Sequence, residues 1–183
     1  MTTRATVARH GPYYRVVDPT YVNPLDTSYS RTFGGRWNPP IEFGALYLCA
    51  TMSVAAANAR YRFVGRAIKL FDLLPAAQPE LVTVEVPRLV VVDVVSADGI
   101  AAIGLPPNYP YGVPWPPCQA IARAAYLDAV AGVAARSNAE AGITLWVGEE
   151  LAVFDNVSGL SQLSREAFAR WYPDPIPGST PGV

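Results

Sequence analysis

Apolar and polar residues alternate in "YYRVVD" (13–18), which with its β-branched content predicts a first strand. Residues 19–44 lose that pattern. They are rich in Pro, Gly, Asn, Ser and Thr, and predict one long loop. "ALYLCA" (45–50) predicts a buried strand. "TMSVAAANARYRF" (51–63) predicts an alanine-rich helix with Thr51 or Ser53 as N-cap. "ELVTVEV" (80–86) and "LVVVDVV" (89–95) read as two strands separated by Pro87-Arg88. The prolines of "GLPPNYPYGVPWPP" (104–117) lack donors and fix φ, so this stretch predicts an irregular lid or wrap.

"CQAIARAAYLDAVAG" (118–132) carries the clearest helical pattern. Ile121, Ala125 and Asp128 share a face with Ala122 and Ala129, and Gly132 falls at the C-cap. Residues 133–137 predict a short strand. "ITLWV" (143–147) and "LAVFD" (151–155) predict a hairpin turning at Gly148-Glu149-Glu150. "SREAFARW" (164–171) predicts a last helix capped by Ser164, before a Pro-rich tail. Strands outnumber helices without regular alternation, so the expected fold class is α+β: one domain over 1–183, its core about 13–171.

Composition narrows the function classes. The chain has 183 residues, 51% apolar and 16% charged, with a formal net charge of −1. An electrostatically driven nucleic-acid binder would carry a basic excess, so no direct nucleic-acid binding is expected. The longest apolar run carries Asp93 and is too short to cross a membrane. The N-terminal stretch lacks the apolar core of a signal peptide. Cys49 and Cys118 are widely spaced in apolar surroundings, which predicts buried free thiols and a cytoplasmic protein. No metal-ligand spacing, phosphate-binding Gly-rich loop or nucleophile elbow occurs. The single histidine, His10, lies in the N-terminal arm and reads as solvated.

The remaining chemistry is that of arginine. In "TFGGRWNPP" (32–40), flanking Gly and Pro restrict the backbone that presents Arg36. A guanidinium in a fixed place recognises phosphate or carboxylate through paired hydrogen bonds. Trp37 offers either a stacking face or a core side chain, and Asn38 an Asx-type bond to its own loop. A structural Gly-Gly turn with a surface arginine fits the same residues.

"FGGRWNPP", followed by "LYLCATMSVAAANARY", resembles the RES domain, the toxin half of RES–Xre toxin–antitoxin pairs. The resemblance covers roughly residues 13–156. It implies an ADP-ribosyltransferase-like fold and consumption of NAD+ by cleavage of the nicotinamide–ribose bond, with the acceptor left open among water, phosphate and a protein side chain. It implies NAD+ as substrate, no metal, and a helix-turn-helix antitoxin of Xre type as partner. Exposed aromatics of 106–117 would suit that partner's interface. Residue by residue, it places Arg36, Tyr47, position 58 and Ser137 in the catalytic set. Arg15, Arg36, Trp37, Tyr47, Gln119 and Ser137 would bind the dinucleotide, with Arg15 and Arg36 converging on its diphosphate.

One position departs from the family. Where the family carries a glutamate on the helix after Tyr47, this chain has Asn58. A carboxylate there would stabilise positive charge building on the ribose, and losing such a group costs about 10²–10³ in rate. Asn58 therefore leaves open a weakened enzyme, a binding-only module of the same fold, and a change introduced to make a toxic chain expressible. Arg60 and Arg62 lie nearby in sequence. Glu42, in the preceding loop, would have to swing in to replace the missing charge.

Overall fold

The computed structural model describes residues 4–139 and 148–172, and its strands form one six-stranded mixed sheet. The strands are β1 (Thr6–Val17), β2 (Ala45–Cys49), β3 (Glu80–Val94), β4 (Gly132–Arg136), β5 (Glu149–Phe154) and β6 (Ser161–Glu166). The helices are α1 (Ser28–Phe33), α2 (Met52–Tyr61), α3 (Ala97–Ala102), α4 (Trp115–Leu127) and α5 (Phe168–Trp171). The order is β1-β2-β5-β4-β3-β6, and β1 also pairs with β3. The long β3 is the spine. β1 runs antiparallel along it, while β6 and then β4 occupy its other edge. β4 is parallel to β3, as its crossover through α3 and α4 requires. The expected α+β class is the one observed.

Strand alternation distributes the apolar residues into separate cores. Leu46, Leu48, Ala134, Leu151 and Val153 meet Val82, Val84 and Val86 of β3 in a core between strands. The neighbouring residues Ala45, Val133, Ala135, Ala152 and Phe154 face the other way, onto Cys118, Ala122 and Ala125 of α4. Full burial of a side chain such as Leu151 or Phe154 contributes about 1.5–3 kcal/mol. On the third side, Val54, Ala55, Ala56 and Ala59 bring α2 against Val16 and Leu81, with Phe168 and Trp171 of α5. The small side chains of α2 let its backbone approach the sheet closely. Its N-terminus is closed by Thr51, whose Oγ1 accepts from the Val54 N–H at 3.2 Å.

Several elements differ from the sequence expectation, each for a tertiary reason. β1 begins at Thr6, so His10 lies exposed in a strand. Pro87-Arg88 does not divide β3. β3 itself bulges at this step: Pro87 and Arg88 stand opposite the single residue His10 of β1, next to Gly11 (φ 91°), and the inward parity of β3 shifts from Val84 and Val86 to Leu89 and Val91. The expected 19–44 loop contains α1. Helix α4 starts at Trp115 because Pro116 and Pro117 sit in its first turn, where no N–H is needed. It ends at Leu127, and Ala129 takes the left-handed turn (φ 57°) expected of Gly132. Gly132 instead opens β4, where an added Cβ would lie 2.1 Å from the Ala152 carbonyl. Glu149 and Glu150 are not a turn but the first residues of β5, and Ser164 is a β6 residue bonded to Thr83. The predicted strand 143–147 lies outside the described residues. Among those described, no helix is long and apolar enough to cross a membrane.

The α1–β2 junction is clamped by Asp155. Its Oδ2 accepts the Gly44 N–H at 2.6 Å and pairs with Arg31. Burial pushes this carboxyl up, but the Arg31 and Gly44 hydrogen bonds together outweigh it and hold the group below the usual aspartate range. A depressed folded-state value adds stability above the ordinary carboxyl pKa and loses it as the pH falls through the folded value. Asp155→Asn is therefore expected to fall furthest below the native chain at neutral pH, the gap closing on acidification. Urea unfolding at pH 7 and pH 3 measures this.

Candidate active site

The Arg-Trp-Asn loop is a two-residue hairpin. Gly34, at φ 73°, ends α1, and the Gly35 N–H donates to the Asn38 carbonyl at 2.9 Å. Arg36 and Trp37 form the tip. Asn38 is completely buried. Its Nδ2 donates to the Ser30 carbonyl (2.7 Å) and the Phe43 carbonyl (3.1 Å), and its Oδ1 accepts from the Tyr47 hydroxyl at 2.8 Å. That hydroxyl accepts in turn from the Trp37 N–H at 2.9 Å. Gly35 is required at its place, because a Cβ there would lie 2.4 Å from the Tyr47 oxygen. Gln119, on α4, donates to the Gly35 carbonyl at 2.8 Å and holds the hairpin from behind.

Beside this hairpin, β1, β2 and α2 enclose a cleft of about 610 Å³, within the range usual for small-molecule sites. Arg15, Tyr21, Tyr29, Tyr47, Asn58, Arg62 and Glu150 contribute to its wall. Arg36, Trp37, Gln119 and Ser137 do not. Trp37 is buried in the core near Tyr109. The Arg36 guanidinium donates to the Val113 carbonyl at 3.0 Å and lies 6.0 Å from the centre of the Tyr109 ring. The expected convergence of Arg15 and Arg36 is thus not the arrangement observed; the second guanidinium on the cleft is Arg62, one turn beyond Asn58. Arg15 donates to the Pro24 carbonyl at 2.7 Å. Neither Arg15 nor Arg62 forms an ion pair among the described residues. Burial lowers the Arg15 pKa, and the like charge of Arg62 adds to that effect. An anion in the cleft would relieve both.

Sequence reasoning missed Glu150. Its Oε1 accepts from Asn58 Nδ2 at 2.9 Å and from Ser137 Oγ at 2.6 Å. Ser137 is itself fully buried, so it supports Glu150 from beneath. The preceding Glu149 points elsewhere, as strand alternation dictates, and is neutralised by a two-bond pair with Arg9 at 2.6 and 2.7 Å. Glu150 forms no ion pair among the described residues. The signal was present in "EELAVF": extending the period of "LAVF" back by two residues makes Glu150 a strand position. Glu42 does not swing in, because it pairs with Arg123 on α4. Burial holds the Tyr47 hydroxyl well above the ordinary phenol range, so it serves as a neutral hydrogen-bonding group rather than a base.

The RES domain profile matches residues 12–173. The chain belongs to the RES domain family. Among its curated relatives are the NAD(+) phosphorylases MbcT of Mycobacterium tuberculosis (strain ATCC 25618 / H37Rv) and Mycobacterium bovis (strain ATCC BAA-935 / AF2122/97). Each is 34% identical over 104 residues, covering 57% of this chain and 55% of the relative. The match thus spans about half the length of these relatives. The crystal structure of the M. tuberculosis MbcT–MbcA toxin–antitoxin complex superposes with a TM-score of 0.74 at 24% identity, over 88% of this RES chain and 86% of that chain. At that identity the likeness concerns the fold.

Proposed function

We propose that this RES domain is a toxin that cleaves NAD+ at the nicotinamide–ribose bond, with phosphate as the acceptor. One observation carries the reading: a single cleft holds two guanidiniums, Arg15 and Arg62, and two carboxylates, Glu150 and the exposed Asp18 that is bonded to Thr20, and among the described residues none of the four forms an ion pair. Such a cleft complements a ligand with a diphosphate and a cationic reacting centre, and NAD+ has both. Arg15 and Arg62 take the diphosphate, each through forked charge-assisted hydrogen bonds. Tyr21, Tyr29 and Tyr47 present aromatic walls to the rings. Arg36, Trp37 and Gln119 act on the ligand through the hairpin they hold, and Asn58 and Ser137 through Glu150. The phosphorylase names of the relatives favour phosphate over water.

The partner in this reading is an antitoxin protein of the helix-turn-helix, Xre type that covers the cleft. The toxin–antitoxin complex formed by the solved neighbour supports it. Cys49 and Cys118 are buried and form no disulfide, which suits a reducing cytoplasm.

The test is nicotinamide release from NAD+ by the purified chain, with and without phosphate. Phosphate-dependent release is expected. Arg15→Ala and Arg62→Ala should each raise KM for NAD+ about 10–100-fold, the worth of one hydrogen bond to a charged group, with a smaller change in kcat. Tight NAD+ binding without release by the native chain would instead establish a binding module.

A further inference from the structure

We infer that Glu150 is the catalytic carboxylate of this chain, carried on β5 instead of on helix α2. The inference rests on the NAD+-cleaving reading above and deepens it.

The geometry supplies the argument. Asn58 lines the cleft from α2, and its amide carries no charge. That amide donates to Glu150 Oε1 at 2.9 Å, so the strand carboxylate is in direct contact with the helix position. The amide is on the helix side of this hydrogen bond and the carboxylate on the strand side, and the negative charge lies at the cleft wall. Two neutral donors, Asn58 Nδ2 and Ser137 Oγ, converge on a single oxygen of Glu150. They fix the direction of the carboxylate without cancelling its charge. Glu149 is the internal contrast: its charge is spent on Arg9. A carboxylate anchored by neutral groups in a partly dry cleft is preorganised for positive charge arising in a ligand.

The step balances without a covalent enzyme intermediate. The bond from ribose C1 to the nicotinamide nitrogen breaks, and its electron pair stays on that nitrogen, giving neutral nicotinamide. Positive charge spreads over C1 and the ribose ring oxygen, facing the Glu150 carboxylate. A phosphate oxygen then gives a lone pair to C1, forming ADP-ribose 1-phosphate. Glu150 remains ionised throughout. Asn58 and Ser137 are positioning residues that act through it.

The experiment compares the native chain with Glu150→Gln, which keeps the volume and the acceptor toward Asn58 and Ser137 but removes the charge. Nicotinamide release gives kcat, equilibrium titration with NAD+ gives Kd, and thermal unfolding reports folding. A 10²–10³-fold fall in kcat is expected, with Kd within a few-fold and the unfolding temperature preserved. A Glu150→Gln variant retaining kcat within about threefold of native overturns the inference and leaves the NAD+ reading standing. A fall in affinity with kcat retained also overturns it, because that makes Glu150 a binding residue. No release by the native chain overturns the NAD+ reading beneath it. Should Glu150→Gln unfold, Ser137→Ala supplies the answer: it leaves the charge but loosens its direction, and an unchanged kcat then counts against Glu150.

Discussion

Asn58→Glu is expected to make the chain less stable, by about 1–3 kcal/mol at pH 8, rather than to repair it. The intuitive repair returns the glutamate that α2 lacks. The structure places Glu150 within hydrogen-bonding distance of that same position. Two carboxylates sharing a site cannot both ionise at low cost, so one pKa rises in the folded state. A carboxyl raised above its unfolded value destabilises the fold above the unfolded pKa, increasingly so until the pH passes the folded value. The deficit relative to the native chain should therefore be small at pH 4 and full at pH 8. Urea unfolding at the two values measures it. The exchange variant Asn58→Glu/Glu150→Asn restores one carboxylate and one amide in mirrored places. It should recover stability to within about 1 kcal/mol of native and most of the nicotinamide release lost in Glu150→Asn alone. Failure of the exchange to recover release would mean that the strand position itself, and not the charge at the cleft, is required.

The second large effect concerns the hairpin. Asn38→Asp is isosteric, yet it replaces a donor to two carbonyls, those of Ser30 and Phe43, with an oxygen that repels both. The site is fully buried. Loss of a buried network of this kind costs about 3–5 kcal/mol, enough to consume much of a domain's usual stability. Protonation would let the new carboxyl donate one of the lost bonds, so the variant should be less impaired at pH 4 than at pH 7. Asn38 Oδ1 also receives the Tyr47 hydroxyl, and aspartate keeps that acceptor, so the change reaches the cleft only through the loosened anchor of the hairpin to Ser30 and Phe43. Denaturant midpoints give the stability, and KM for NAD+ gives the effect on the site.

The parts legible in the sequence were those set by local chemistry. The apolar run of β2, the Thr51 cap of α2 and the small-residue face of α4 all follow from periodicity and capping, and all three are observed. The "GGRWN" stretch was legible as a restrained loop because Gly and Pro act on their own backbone. What that loop faces was not. Arg36 looked like a ligand residue in one dimension, whereas its guanidinium turns to Val113, distant in sequence, and Arg62 takes the cleft. The break expected at Pro87-Arg88 did not occur because β3 absorbs the two residues as a bulge opposite His10 and stays paired with β1 on either side.

Sequence by itself determined the α+β class, the family, and a position at 58 without its carboxylate, since each depends on residue identity and short-range order. Only the tertiary structure decided which carboxylate stands beside that position. Asn58 and Glu150 are separated by 92 positions. Electrostatics depends on distance through space, so the carboxylate that acts on position 58 is set by the fold and not by nearness in sequence.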